Sequence, residues 1–215
     1  MQTVAVIAIR GSIGAKTRLA SRFSEHVRAD LAWTMFLHVL GVIRESGIAD
    51  HLLIVTREPE ETRHHTGASP NMTILPQPVE YSGLNAAFDL GRDWAIAHGF
   101  ETMLILHPDL PLLGTADLQR IAQADATVVL APDQKGVGTN ALRLRLDHPR
   151  GHLFTFRFGP DSHRLHLQEA ASLALALAEV HTPGLARDLD WPEDWDNLPE
   201  TARDRLLGHC RIPAS

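Results

Sequence analysis

The chain carries one cysteine in 215 residues, Cys210, and no excess of positive charge. Each shortage closes off a class of protein. A lone thiol cannot form an internal disulfide, and Cys210 has no partner at a zinc-ligand spacing, so a reducing, cytoplasmic setting is expected. No segment approaches the roughly 18 apolar residues of a spanning helix. The first residues also lack the charged and apolar zones of a secretory signal, so a soluble chain with no membrane partner is expected. Lys plus Arg number 20 against 26 Asp plus Glu, a net charge of -6. No basic field is available to gather a phosphate backbone, which disfavours a nucleic-acid partner. Two phosphate-binding fingerprints are missing too: neither G-x-x-x-x-G-K-[ST] nor G-x-G-x-x-G follows the first strand-like segment.

What is present is an ordinary globular composition, 44% apolar and 21% charged, which can bury a core without staples. At roughly 100 to 200 residues per domain, a single domain over 1–215 is expected. Thr3 to Ile9 reads as a buried strand that opens into a loop at Gly11 and Gly14. His51 to Thr56, Met72 to Leu75, Thr102 to Leu106 and Thr127 to Ala131 repeat its continuous apolar pattern, which suits strands covered on both faces. Between them, Ala29 to Ser46 sets Leu31, Met35, Val39, Val42 and Ile43 on one helical face and stops at Gly47. Leu84 to His98, with Ser82 as its expected N-cap, and Ala116 to Ala124 are further helices. Trp33, Phe88 and Trp94 fall on helical apolar faces and read as core.

After Asn140 the pattern changes. Ala141 to Leu146 alternates apolar residues with Arg143 and Arg145, as a strand with one wet face would. Ser162 to Ala178 reads as a helix, followed by a last strand near Val180 and a closing helix from Pro192 to Leu198. The order predicts an α/β fold with a mostly parallel sheet flanked by helices and a small β excursion in the C-terminal third. Ligands are expected at the carboxyl ends of the strands.

Candidate chemistry sits there. Arg10 to Leu19, RGSIGAKTRL, offers Arg10 and Lys16 to a polyphosphate, or is a solvated basic turn. Asp109 follows a strand and is stiffened by Pro108 and Pro111, a good place for a Mg²⁺ ligand, though an N-cap would look the same. Asp188 and Asp190, two apart on an extended segment, point to one side and could share a cation with Asp109; an acidic surface turn is the alternative. GVGTN, Gly136 to Asn140, is either a ligand loop or a plain hairpin, and FRFGPDS supplies Arg157, Gly159 and Ser162, with Ser162 as ligand, helix cap or both. Of 13 histidines, His64 with His65 and His163 with His166 are the close pairs, and no Cys or carboxylate completes a ligand set beside them.

Six strings in register resemble the CofC family: AKTRLASRFS from Ala15, GLNAA from Gly83, DLPLL from Asp109, APD with GTNAL within Ala131 to Leu142, FRFGPDS from Phe156, and DLDWPED from Asp188. Members are guanylyltransferases that act on small phospho-acids in coenzyme F-420 biosynthesis. The resemblance implies a nucleotide-diphosphosugar-transferase-like (GT-A-like) fold and transfer of GMP from GTP with release of pyrophosphate. It also implies roles. Lys16 would hold the triphosphate; Asp109, Asp188 and Asp190 would hold Mg²⁺; Thr139, Gly159 and Ser162 would hold the phospho-acid; and Asn85 and Asn140 would lie in nucleotide-binding loops. A homodimer is a further expectation.

The chain departs from the family pattern in three places. Arg10 stands where lysine is usual, exchanging a compact ammonium for a planar fork. His107 and Pro108 replace Pro and Ala, and Asp147 to Thr155 is longer than typical. The acceptor, among 2-phospho-L-lactate, phosphoenolpyruvate and 3-phosphoglycerate, is therefore left open. So are a same-fold nucleotidyltransferase acting on molybdopterin or a sugar phosphate, and a non-catalytic nucleotide-binding protein.

Overall fold

The computed structural model describes residues 1–10 and 16–208; Gly11, Gly14 and Cys210 lie outside them. Among the described residues seven strands form one sheet: β1 (Thr3–Ile9), β2 (His51–Thr56), β3 (Met72–Pro76), β4 (Thr102–Leu106), β5 (Val128–Pro132), β6 (Thr139–Arg145) and β7 (Leu177–Glu179), in the order β3-β2-β1-β4-β6-β5-β7. All neighbours pair in parallel except β6, which runs antiparallel to both β4 and β5. The β excursion of the C-terminal third is thus part of the main sheet.

The continuous apolar runs divide by parity between two cores. Ala5, Ile7 and Ile9 of β1, with Leu104 and Leu106 of β4, face α1 (Glu25–Ser46) and α4 (Thr115–Gln123). Val4 and Val6, with Met103 and Ile105, face α3 (Leu84–Ala97) and α5 (Ser162–Ser172). Close approach on the second side requires Gly91, because a Cβ there would lie 2.9 Å from Val6 Cγ1. The other helices are α2 (Pro59–Thr66), α6 (Pro183–Ala186), α7 (Pro192–Asp196) and α8 (Glu200–Gly208). A third cluster joins Leu19, Leu31, Met35, Leu189, Trp195, Leu198 and Leu206, tying the C-terminal helices to α1 and the loop before it.

Several sequence expectations are corrected. Helix α1 begins at Glu25 rather than Ala29 because the Ser24 hydroxyl accepts from Val27 N–H at 3.4 Å. Ser82 does not cap α3; Gly83 holds that position with φ 106°, and buried Gln77 donates its amide to the carbonyls of Tyr81 and Gly83. Ser162 does not cap α5, where left-handed Asp161 holds the cap position. That helix ends at Ser172, not Ala178. The run LALALA from Leu173 fits helix and strand alike, and pairing of Leu177 with Val128 at the sheet edge decides for β7. Nor does β6 have a wet face on the Arg143 side. Arg143 is 6% exposed beneath α4, and its guanidinium donates to the carbonyls of Ile121, Ala122, Ala124 and Ala126 at 2.7–3.1 Å. These carbonyls sit at and just past the end of α4, where helical partners run out; Ala124 O also accepts from Ala126 N–H at 3.1 Å.

Candidate active site

Chain order reverses across the sheet between β1 and β4: β2 and β3 lie on one side, and the later strands on the other. At such a switch point the connections leave in opposite directions and open a crevice at the carboxyl edge. A cleft of about 870 Å³ lies there. It gathers Arg10 from the end of β1, His107, Pro108 and Asp109 from the end of β4, Thr139 and Asn140 from β6, Gly159 and Ser162 from the α5 approach, and Asp188 and Asp190. Because β6 is antiparallel, its first residues reach the edge where β4 ends, and His107 N–H donates to Asn140 O at 3.0 Å.

Lys16, in a left-handed conformation, extends Nζ to within 2.5 Å of Asp109 Oδ2 and 2.8 Å of Asp190 Oδ1. Burial pulls its ammonium down, but Asp109 and then Asp190 more than reverse this and hold it up at about 12. Burial pushes Asp109 up, yet Lys16 and His107 hold its carboxyl below the usual range. Asp188 goes the other way: burial, then the charges of Asp109 and Asp190, push it up to about 6. Leu189 N–H donates to Asp109 O at 3.1 Å, which fixes the acidic loop against the end of β4. Arg18 braces the loop from outside, 3.0 Å from Asp190 Oδ2 and over the Trp191 ring at 4.7 Å.

The opposite wall is built on α5. Thr139 and Ser162 are almost fully buried, and Gly159 takes φ 130°, a backbone shape that glycine alone adopts freely. Asn140 lines the cleft but spends its amide donor on Leu185 O at 2.9 Å, so it also anchors α6. Asn85 and Arg157 are not brought to the cleft wall. The Asn85 amide is engaged at both ends by the Phe158 backbone, at 3.0 and 2.7 Å, and the Arg157 side chain is exposed. GVGTN proves to be the β5–β6 hairpin and a cleft wall at once.

Sequence reading missed two contributors. Trp33 is buried as expected, but it also lines the cleft and stacks on His65 at 4.0 Å. His166, fully buried, contacts Thr139; its position one helical turn after Ser162 was the available signal. Among the described residues no three His, Cys, Asp or Glu side chains converge as a metal-ready group. His163 instead bonds Gly136 O and Glu179.

Residues 3–198 match the family described as guanylyl transferase, CofC like. A phosphoenolpyruvate guanylyltransferase of Sphaerobacter thermophilus is 33% identical over 217 residues, spanning 100% of this chain and 97% of that protein. A 3-phospho-D-glycerate guanylyltransferase of Phenylobacterium zucineum is also 33% identical, over 88% of this chain and 86% of that one. In fold, a nucleotidyl transferase from Methanothermobacter thermautotrophicus superposes with a TM-score of 0.65 at 18% identity, covering 96% of this chain and 98% of that one. The match runs from the first strand to the loop after α7, through every segment that lines the cleft, and the chain belongs to the CofC-like guanylyl transferase family.

Proposed function

We propose that the chain transfers GMP from GTP to the phosphate of a small phospho-acid, releasing pyrophosphate, as a step toward coenzyme F-420. The observation that carries this reading is one cleft with two unlike walls. Lys16 with three carboxylates lines one wall, suited to a triphosphate and its cation, while Thr139, Gly159 and Ser162 line the other, suited to a small anion.

A phosphomonoester has a second pKa near 6, so at neutral pH its oxygen attacks without help from a side-chain base. A new bond forms from that oxygen to the α-phosphorus of GTP. The α–β phosphoanhydride bond breaks, and its electron pair leaves on pyrophosphate. What the protein must supply is in-line placement and charge neutralisation. Lys16, charged throughout the neutral range, would turn from its carboxylate partners to the triphosphate, with Arg10 beside it at the end of β1.

The donor set fits Mg²⁺, which takes one or two carboxylates and completes its shell with water and substrate phosphates. Asp109 Oδ1 is buried with no hydrogen-bond partner among the described residues, and Asp188 is raised by burial first and then by the charges of Asp109 and Asp190. Asp109, Asp188 and Asp190 do not converge as a three-ligand group, so one or two of them would hold the ion, with substrate phosphates and water completing its shell. When bound, Mg²⁺ supplies neutralisation of charge on the α-phosphoryl and pyrophosphate groups.

The test is pyrophosphate release by the purified chain with Mg²⁺ and GTP, ATP or CTP, each crossed with 2-phospho-L-lactate, phosphoenolpyruvate and 3-phosphoglycerate. Release with GTP and one of these acids is expected; release with another nucleotide, or silence across the grid, overturns the reading. The cytoplasm, where GTP and phospho-acids are made, is the setting proposed for the reaction, and light scattering of the same preparation tests the expected homodimer.

A further inference from the structure

We propose that His166 is a positioning residue that fixes the Thr139 hydroxyl as a hydrogen-bond donor toward the anionic acceptor. The inference rests on the reading above that Thr139 faces the phospho-acid. It starts from two contacts. The backbone N–H of Arg157 donates to His166 Nε2 at 2.9 Å, so that nitrogen carries the lone pair. His166 Nδ1 lies 3.0 Å from Thr139 Oγ1. Burial, followed by the charges of His107 and His163, pushes the imidazole down to about 3, so the ring is neutral and holds a single proton. With Nε2 accepting, that proton is on Nδ1 and is donated to Thr139.

The consequence falls on the hydroxyl. A threonine can offer either its proton or a lone pair. With Oγ1 accepting from His166, the Thr139 proton is the part left for the cleft, which this residue lines. A phospho-acid at neutral pH presents only acceptor oxygens on its phosphate and carboxylate, so an ambivalent hydroxyl becomes one suited to anions. The imidazole is held in that orientation by Phe158, edge-on at 4.7 Å, and by Phe154 at 5.9 Å.

Two substitutions separate positioning from packing. His166→Gln keeps an acceptor for Arg157 N–H and removes the donor to Thr139; His166→Asn places an amide donor near Nδ1 and gives up the Arg157 contact. His166→Gln is expected to raise the acceptor KM about tenfold with the GTP KM and Tm little changed. His166→Asn is expected to lower Tm while holding the acceptor KM near wild type. Thr139→Val should match His166→Gln, and the double variant should be no worse than either single one. NMR of the imidazole nitrogens in the full chain should show the Nδ1–H tautomer. An Nε2–H tautomer, effects that multiply in the double variant, or equal rises in both KM values would overturn the inference. If Thr139→Val raises the acceptor KM and His166→Gln does not, the positioning role fails and the acceptor reading survives. If Thr139→Val leaves the acceptor KM unmoved, both fall.

Discussion

Lys16 and Asp109, 93 residues apart in sequence, meet at 2.5 Å in the cleft, and Asp190 joins the same ammonium from the far end of the chain. The pair therefore has both a structural and a chemical role. Removing one member of a buried pair strands the other charge at a cost of about 3 kcal/mol. Lys16→Met is expected to abolish turnover and to lower stability by about that amount in denaturant titration. Lys16→Met/Asp109→Asn should regain part of the stability and none of the activity.

Asp109→Asn alone keeps the shape of the side chain and loses its charge. Turnover should fall on the order of a hundredfold or more, with the circular dichroism spectrum unchanged. Near-normal turnover would remove Asp109 from the metal set.

Asp188 predicts a conflict between stability and function. Its folded pKa, about 6, lies above the ordinary aspartate value of 3.8. Folding therefore disfavours its charged form, and this cost, absent below about pH 4, grows as pH rises to 6 and is then constant. The side chain is only partly buried, so the cost is about 1 kcal/mol or less. Asp188→Asn should raise Tm by about 2 °C at pH 7, leave it unchanged at pH 4, and still reduce turnover. Equal shifts at both pH values would contradict this origin.

Gly159 tests backbone shape apart from bulk. A Cβ there would meet nothing within 4 Å, so a substitution acts through its φ of 130° alone. Gly159→Ala is expected to cost about 1–3 kcal/mol and to raise the acceptor KM more than the GTP KM. Steady-state kinetics with each substrate varied in turn would show it.

Arg143 is a purely architectural case. Arg143→Met fills similar volume but removes four hydrogen bonds to carbonyls around the end of α4, of which Ala124 O keeps its bond from Ala126 N–H, and should lower stability by about 2–4 kcal/mol. Activity per folded molecule, measured beside a chemical denaturation curve, should be unaffected, because Arg143 lies outside the cleft.

How far the sequence reaches is visible residue by residue. Its continuous apolar runs required strands covered on both faces, and their alternation with helices required a mostly parallel α/β sheet, because local periodicity follows directly from which faces are buried. It also marked Lys16, Asp109, Asp188 and Asp190, since loops after strands in such a sheet point toward one edge, and Thr139, Gly159 and Ser162 through strings shared with a known family; the structure brings all seven to that edge. Tertiary structure alone decided the rest. Whether LALALA became helix or strand depended on a free edge at β5, and whether Arg143 met water or α4 depended on carbonyls some twenty residues away. The amides of Asn85 and Asn140 were taken by backbone groups from other segments, and His166 acquired its tautomer from Arg157. Each of these outcomes turns on a hydrogen-bond partner or an edge distant in sequence, and local pattern carries no record of such partners.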